Sequence, residues 1–287
     1  MEKRYKKVKE ILFIILIANL LVALLKITIG IVVNSASMTA DGFHSLSDGS
    51  SNIVGLIGIR IASRPKDKNH PYGHGKFETL AGLFISVMLF AVGAKVIAGA
   101  IERFRAPVTP EITIPSLAVL IFTLAVNIVV SVLEYRAGKK LGSQILVSDS
   151  LHTRSDIYVS AGVLLTLIGV KLGLPPVIDP IASLVVAGFI MAAAFSIFKE
   201  NSDVLVDRSA VDADVIKNIV MQFAEVKDTH KIRSRGSESD LYIDLHVLVD
   251  STLNVETSHR LVHDIENAIK DEVNPSAQVI VHIEPYA

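Results

Sequence analysis

Cysteine is absent from the 287 residues, which excludes a disulfide framework, thiolate metal sites and a cysteine nucleophile. Tryptophan is absent as well, so an aromatic belt at a membrane surface would rest on Tyr and Phe alone. No glycine-rich phosphate loop and no His-Glu-x-x-His run occurs, so a nucleotide-driven machine and that type of zinc hydrolase lack their signatures. Net charge of one sign is also nearly missing: the formal total is −1. It is unevenly spread, however, with +7 over residues 1–202 against −8 over residues 203–287. Such asymmetry points to two different environments. No nucleic-acid partner is expected.

What the chain does have is apolar length. Hydrophobic residues make up 51% and the mean hydropathy is +0.50, well above an ordinary soluble protein. A helix crosses a hydrocarbon core with about 20 residues. Six segments reach that length, near 11–33, 37–62, 78–101, 112–134, 145–171 and 178–198. The apolar stretch after the basic N-terminus is too long for a signal-peptide core and is read as a retained first span. Basic residues cluster before the first span (Lys3, Arg4, Lys6, Lys7, Lys9), between the second and third (Arg64, Lys66, Lys68, Lys76) and between the fourth and fifth (Arg136, Lys139, Lys140). By the positive-inside rule, both termini are cytoplasmic in a multi-pass protein of the inner (cytoplasmic) membrane. Residues 1–205 are thus expected to form a six-helix transmembrane domain in the lipid bilayer.

The second and fifth spans carry a repeated polar pattern. Residues 41–48 read DGFHSLSD and residues 149–156 read DSLHTRSD, placing Asp41, His44, Asp48 and Asp149, His152, Asp156 at matching helical spacing. Ionisable side chains inside a membrane helix are costly and mark a polar pathway or site. Under the inferred topology both His–Asp pairs fall near the bilayer midplane. Two imidazoles and two carboxylates from His44, Asp48, His152 and Asp156 suit tetrahedral Zn²⁺, or more broadly a borderline divalent transition metal. The bland alternative is hydrogen-bond glue between helices. Asp41 and Asp149 are read as polar residues beside a water-filled cavity, Arg154 as half of a structural ion pair, and Lys26, Lys95 and Lys171 as snorkelling lysines.

The loop at 64–77, RPKDKNHPYGHGKF, is turn-rich and holds Asp67, His70 and His74. It reads either as a solvated loop or as a surface metal site. After Lys199 the composition becomes that of a small soluble domain, residues 206–287. Helix 211–226, strands 229–235 and 240–249, helix 255–273 and strand 278–285 suggest an α+β sandwich of ferredoxin-like type. The middle strand alternates, with Leu241, Ile243, Leu245 and Val247 on one face and Asp244 and His246 on the other. His230, His246, His259, His263, His282 and Glu284 stand out in this acidic stretch, and His259 and His263 have the i, i+4 spacing able to share a metal.

ASMTADGFHSLSD (36–48), HPYGHGKFE (70–78), HTRSD (152–156) and the histidine-bearing C-terminal domain resemble the cation diffusion facilitator family over nearly the whole chain. That resemblance implies a homodimeric exporter moving divalent metal, most simply Zn²⁺, out of the cytoplasm in exchange for protons. It gives His44, Asp48, His152 and Asp156 the transport-site positions, matches Asp67, His70 and His74 to the family's loop site, and matches His230, His246, His259, His282 and Glu284 to a binuclear cytosolic site. Fe²⁺, Mn²⁺, Cd²⁺ and Co²⁺ remain alternative cargoes, although two imidazoles disfavour Mn²⁺. A metal-responsive scaffold with vestigial transport is a further alternative. No enzyme activity is expected.

Overall fold

The computed structural model describes residues 2–32, 36–105, 114–171, 175 and 177–286. Within its helices the side chains of residues 2, 30, 36–44, 47, 48, 115, 116, 163, 166–171 and 179 lie outside the described residues. The chain forms two compact units, Met1–Asn201 and Ser202–Ala287.

The first unit is built from six long helices: α1 (Glu2–Val32), α2 (Ala36–Ala62), α3 (Lys76–Arg105), α4 (Ile114–Leu141), α5 (Gln144–Lys171) and α6 (Ile178–Leu205), whose last turn enters the second unit. Of these, α1, α3, α4 and α6 are long and apolar enough to span a membrane. Helices α2 and α5 are as long but more polar, because they carry the repeated Asp/His pattern. Phe13, Leu21, Leu133, Phe189 and Phe195 point outward, each more than half exposed; this is the outer surface of a bundle whose solvent is hydrocarbon. Inside, Val8 and Leu12 of α1 pack with Ile59 of α2, Ala81 of α3 and Ile145 and Leu146 of α5. A second cluster joins Leu89 of α3 to Ile190, Ala194 and Ile197 of α6. Helices α2 and α3 approach so closely that a Cβ on Gly58 would stand 2.4 Å from the Ala81 Cβ.

Charge pins the bundle at one end. Arg4 donates from Nη2 to both Glu78 oxygens (3.1 and 2.9 Å) and to the Gly142 carbonyl (2.7 Å), and from Nε to the Leu141 carbonyl (2.6 Å). Ser143 Oγ donates to Glu78 at 2.5 Å. The start of α1, the first turn of α3 and the α4–α5 turn are thereby tied together.

The second unit runs α7 (Ala213–Val220), β1 (Val226–Ser237), β2 (Asp240–Asp250), α8 (Val255–Glu272) and β3 (Gln278–Tyr286), the expected helix–strand–strand–helix–strand order. The sheet order is β1-β2-β3, antiparallel across the first pair and parallel across the second. Asp212 caps α7 by accepting from the Asp214 N–H, and Asn254 caps α8 by accepting from the Thr257 N–H. Leu241, Ile243, Leu245, Val247 and Val249 of β2 are at most 4% exposed. They share one core with Ile216, Ile219 and Val220 of α7 and Leu261, Ile265 and Ile269 of α8. Both helices therefore cover one face of the sheet, and the alternate residues of β2 occupy the other. Helix α7 ends at Val220 rather than near 226. Tight turns with Gln222 N–H to Ile219 O and Phe223 N–H to Val220 O reverse the chain into β1, and Phe223 packs on the core from a turn.

Candidate metal sites

The membrane pattern is described on the α5 side. His152 is 3% exposed, and neither of its ring nitrogens has a hydrogen-bond partner among the described residues. A buried imidazole with both nitrogens unpaired is an exception that requires a function or a missing ligand. His152, Thr153 and Asp156 line a cavity of about 470 Å³, with Ser45 and Ser51 of α2, Asn19 and Lys26 of α1 and Asn127 of α4. His44 and Asp48 lie on α2, but their side chains, like that of Asp41, fall outside the described residues.

Three polar side chains differ from expectation. Asp149 is fully buried and accepts from Asn52 Nδ2, while Asn52 Oδ1 accepts from Asn19 at 2.8 Å. Glu134 of α4 is also fully buried, and neither of its oxygens has a hydrogen-bond partner among the described residues. Asp149 thus braces α1, α2 and α5 instead of facing the cavity. Lys26 does not snorkel: it is 7% exposed and donates from Nζ to Ser45 Oγ at 2.8 Å. Arg154 lies over the Tyr135 ring, 4.6 Å from its centroid, a cation–π contact, with no ion pair among the described residues. Intramembrane Asn19 and Asn52 were the visible signal for the brace.

The loop residues do converge. Asp67 Oδ1 accepts from the backbone N–H of His70 (2.7 Å) and Asn69 (2.9 Å) and lies 3.1 Å from His70 Nδ1. Its other oxygen is 3.3 Å from Nε2 of His74, and the two imidazole rings are 4.3 Å apart. All three ligand atoms fit within one coordination sphere. Hydrogen bonds from the His70 backbone, above all, hold the Asp67 carboxyl below its usual range. Gly73, at φ +98°, makes the turn that brings His74 back to Asp67, a conformation that suits glycine.

In the C-terminal unit the strand register builds the site. His230 pairs with His246 across β1–β2, and His246 with His282 across β2–β3, so the three imidazoles stand in a row on the helix-free face. Glu284, two residues along β3 on that face, places Oε1 2.7 Å from His246 Nδ1 and Oε2 3.1 Å from His230 Nε2. His230, His246 and Glu284 can meet on one ion; His282 stands 3.7 Å from Glu284 at the rim. The His246 hydrogen bond, chiefly, keeps the Glu284 carboxyl below its usual range, ready to act as an anionic ligand. A β-bulge just after His230 turns the strand there.

Within one chain His259 does not join this group. Leu261, Ile265 and Ile269 turn α8 toward the sheet, leaving His259 exposed on the outer side of the helix layer. Its neighbour is His263, Nε2 to Nε2 at 3.2 Å. The apolar period of α8 already carried this sidedness, whereas counting histidines along the sequence did not.

Residues 12–206 match the family model described as the cation efflux transmembrane domain, and residues 209–286 match that of the cation efflux protein cytoplasmic domain. An uncharacterized transporter of Methanocaldococcus jannaschii is 33% identical over 288 residues, 97% of this chain and 99% of the relative. The manganese efflux system protein MneP of Bacillus subtilis is 30% identical over 292 residues, 97% of this chain and 96% of the relative. Metal tolerance protein C1 of Arabidopsis thaliana is 32% identical over 287 residues, 94% of this chain and 61% of that longer protein.

Proposed function

The chain belongs to the cation diffusion facilitator family, transporters rather than enzymes, and we propose that it expels divalent transition metal, Zn²⁺ foremost, in exchange for protons. The cargo ligands are His44, Asp48, His152 and Asp156. The observation that carries this reading is His152: buried, unpaired among the described residues, and lining the same cavity as Asp156. Two imidazoles with two carboxylates match the preference of a borderline ion for mixed N/O ligands.

Exchange follows from ligand chemistry. Metal ligands bind in their deprotonated form, so an arriving ion displaces the protons they hold. Free imidazole titrates near pKa 6.5 and free Asp near 3.9, which makes His44 and His152 the carriers best suited to a physiological pH step. Facing the more acidic side, the site gives up its ion and takes protons; facing the cytoplasm, it releases them and reloads. Both termini are cytoplasmic and the membrane is the cell's inner one, in keeping with the basic loops.

Asp67, His70 and His74 form a loop site, and His230, His246 and Glu284, with His282 beside them, form a cytosolic site. The chain works as a homodimer. Net charge near −8 per C-terminal region makes two copies repel, and bound cations offset that repulsion, which couples cytosolic metal to dimer geometry.

A second reading, Mn²⁺ as cargo, is favoured by the manganese efflux relative in Bacillus subtilis. Flux into sealed proteoliposomes with an imposed pH gradient and a pH-reporting dye tests both. The expectation is Zn²⁺ flux with proton counter-flow, lost in Asp156→Ala. Flux of Mn²⁺ in preference to Zn²⁺ would select the second reading. Metal movement indifferent to the gradient, without proton movement, would reject antiport.

A further inference from the structure

We propose that Lys26 is a fixed cation that sets how tightly the transport site holds its ion, weakening that hold enough for release. The inference rests on the reading of His152 and Asp156 as cargo ligands. Lys26 of α1 is 7% exposed, and its Nζ donates to Ser45 Oγ of α2 at 2.8 Å. Ser45 directly follows residue 44 and stands three residues, less than one helical turn, before residue 48. Lys26, Ser45, His152 and Asp156 line the same cavity. The ammonium is thereby held next to the stretch of α2 that carries the repeated pattern.

A charge is an expensive way to tie two membrane helices together. Gln would donate to Ser45 just as well, with no charge to take out of water. A buried ammonium in such a bundle instead marks a functional position. The cavity as a whole also carries an unexpected sign. Among its described lining residues, Lys26, Lys95 and Arg103 stand against two carboxylates, Asp156 and Glu102. Paths that conduct cations are lined with acidic side chains. Lys95, Glu102 and Arg103 of α3 are exposed, so solvent screens them; Lys26 is the buried cation of the set.

The consequence for the cargo is electrostatic. A fixed unit charge opposes a divalent ion twice as strongly as a monovalent one at the same distance, and poor solvation magnifies the effect. Two imidazoles and two carboxylates hold a borderline ion tightly. Transport needs binding favourable enough to load and weak enough to leave. Lys26 offsets part of the ligands' hold, so removing its charge should tighten binding and slow release.

Equilibrium dialysis of the purified full-length chain in detergent against Zn²⁺ tests this, the transport-site ion being the one lost in Asp156→Ala. Lys26→Gln keeps a donor for Ser45 and should bind that ion at least about tenfold tighter. Lys26→Met, which packs differently, should shift it in the same direction. Lys26→Arg restores the charge and should return the affinity to the parent's. Ions bound elsewhere on the chain should be indifferent to all three. In proteoliposomes Lys26→Gln should lower the half-saturating Zn²⁺ concentration and the maximal rate together, as expected when release limits turnover. Unchanged or weaker binding in Lys26→Gln and Lys26→Met would overturn the proposal and leave Lys26 a tie between α1 and α2. Tightening that Lys26→Arg shares would also overturn it, because packing rather than charge would be responsible. An Asp156→Ala protein that keeps every ion would instead overturn the transport-site reading, and this inference with it.

Discussion

Truncating the middle imidazole of the sheet ladder, His246→Ala, should remove the Zn²⁺-dependent stability of the C-terminal unit while costing little in metal-free protein. The comparison is made on residues 202–287, the second compact unit. Without metal, His246 contributes its contact to Glu284, between side chains 20% and 28% exposed. A partly solvated pair of this kind is worth at most about 1 kcal/mol, and His246 lies outside the hydrophobic core. With metal, an ion held at about 100 times its dissociation constant stabilises the folded state by about 2.7 kcal/mol. Each kcal/mol raises the midpoint of a domain this small by roughly 4–8 °C. The parent should therefore gain about 10–20 °C on Zn²⁺ addition and the variant almost none. Far-UV circular dichroism melts at pH 7.5 read both, with chelator as the reference. The gain should shrink toward pH 5.5, since metal binds deprotonated ligands and its affinity falls with pH. A parent midpoint that ignores Zn²⁺, or a variant that keeps more than half the gain, would refute the ladder as a metal site.

In the membrane unit, Arg4→Ala should destabilise by about 3–5 kcal/mol, because it strands the buried Glu78 carboxylate. Arg4→Lys should not restore it, since an ammonium cannot reproduce the fork that serves Glu78 and two carbonyls; thermal aggregation in detergent compares the three proteins. Gly58→Ala should cost about 1–3 kcal/mol by forcing α2 and α3 apart, and the same assay would refute this if the variant melted with the parent. Acid should weaken the C-terminal unit in a defined window. The Thr229 N–H and then Lys217 hold Asp228 below its usual range, Thr252 does so for Asp250, and His246 for Glu284. A depressed carboxyl stabilises the fold above its unfolded value, 3.8 for Asp or 4.5 for Glu, and that contribution disappears as pH falls through the lower folded value. Metal-free melts at pH 6, 4.5 and 3 should fall progressively below pH 4.5; a flat profile would contradict the assigned partners.

The elements were legible where one period dominated. Apolar runs marked all six long helices, but not that α4 and α6 continue to Leu141 and Leu205 through polar sequence. In β2 the alternation of Leu241, Ile243, Leu245 and Val247 named the core face directly, and it also placed His246 on the opposite, helix-free side. The pairing of Arg4 with Glu78 and Ser143 was not readable, because it joins three segments more than 60 residues apart. In the sequence Arg4 was one basic residue among five.

The histidines show where local pattern stops and topology takes over. His230, His246 and His282 are 16 and 36 residues apart, and no spacing rule would group them; register does, because each pairs with the next across the sheet. His259 falls between them in sequence yet stands away from them within one chain, since a helix presents one stripe to the core and α8 spends that stripe on Leu261, Ile265 and Ile269. The same logic separates Asp149 from His152 on α5. They are three residues apart, but Asn52 takes a carboxylate oxygen of Asp149, while His152 keeps both nitrogens unpaired among the described residues. Of two buried polar side chains on one helix, the one tied through Oδ2 to Asn52 helps hold the bundle together. His152, which lines the cavity, is available to a passing ion, because neither ring nitrogen has a hydrogen bond among the described residues to break before it coordinates.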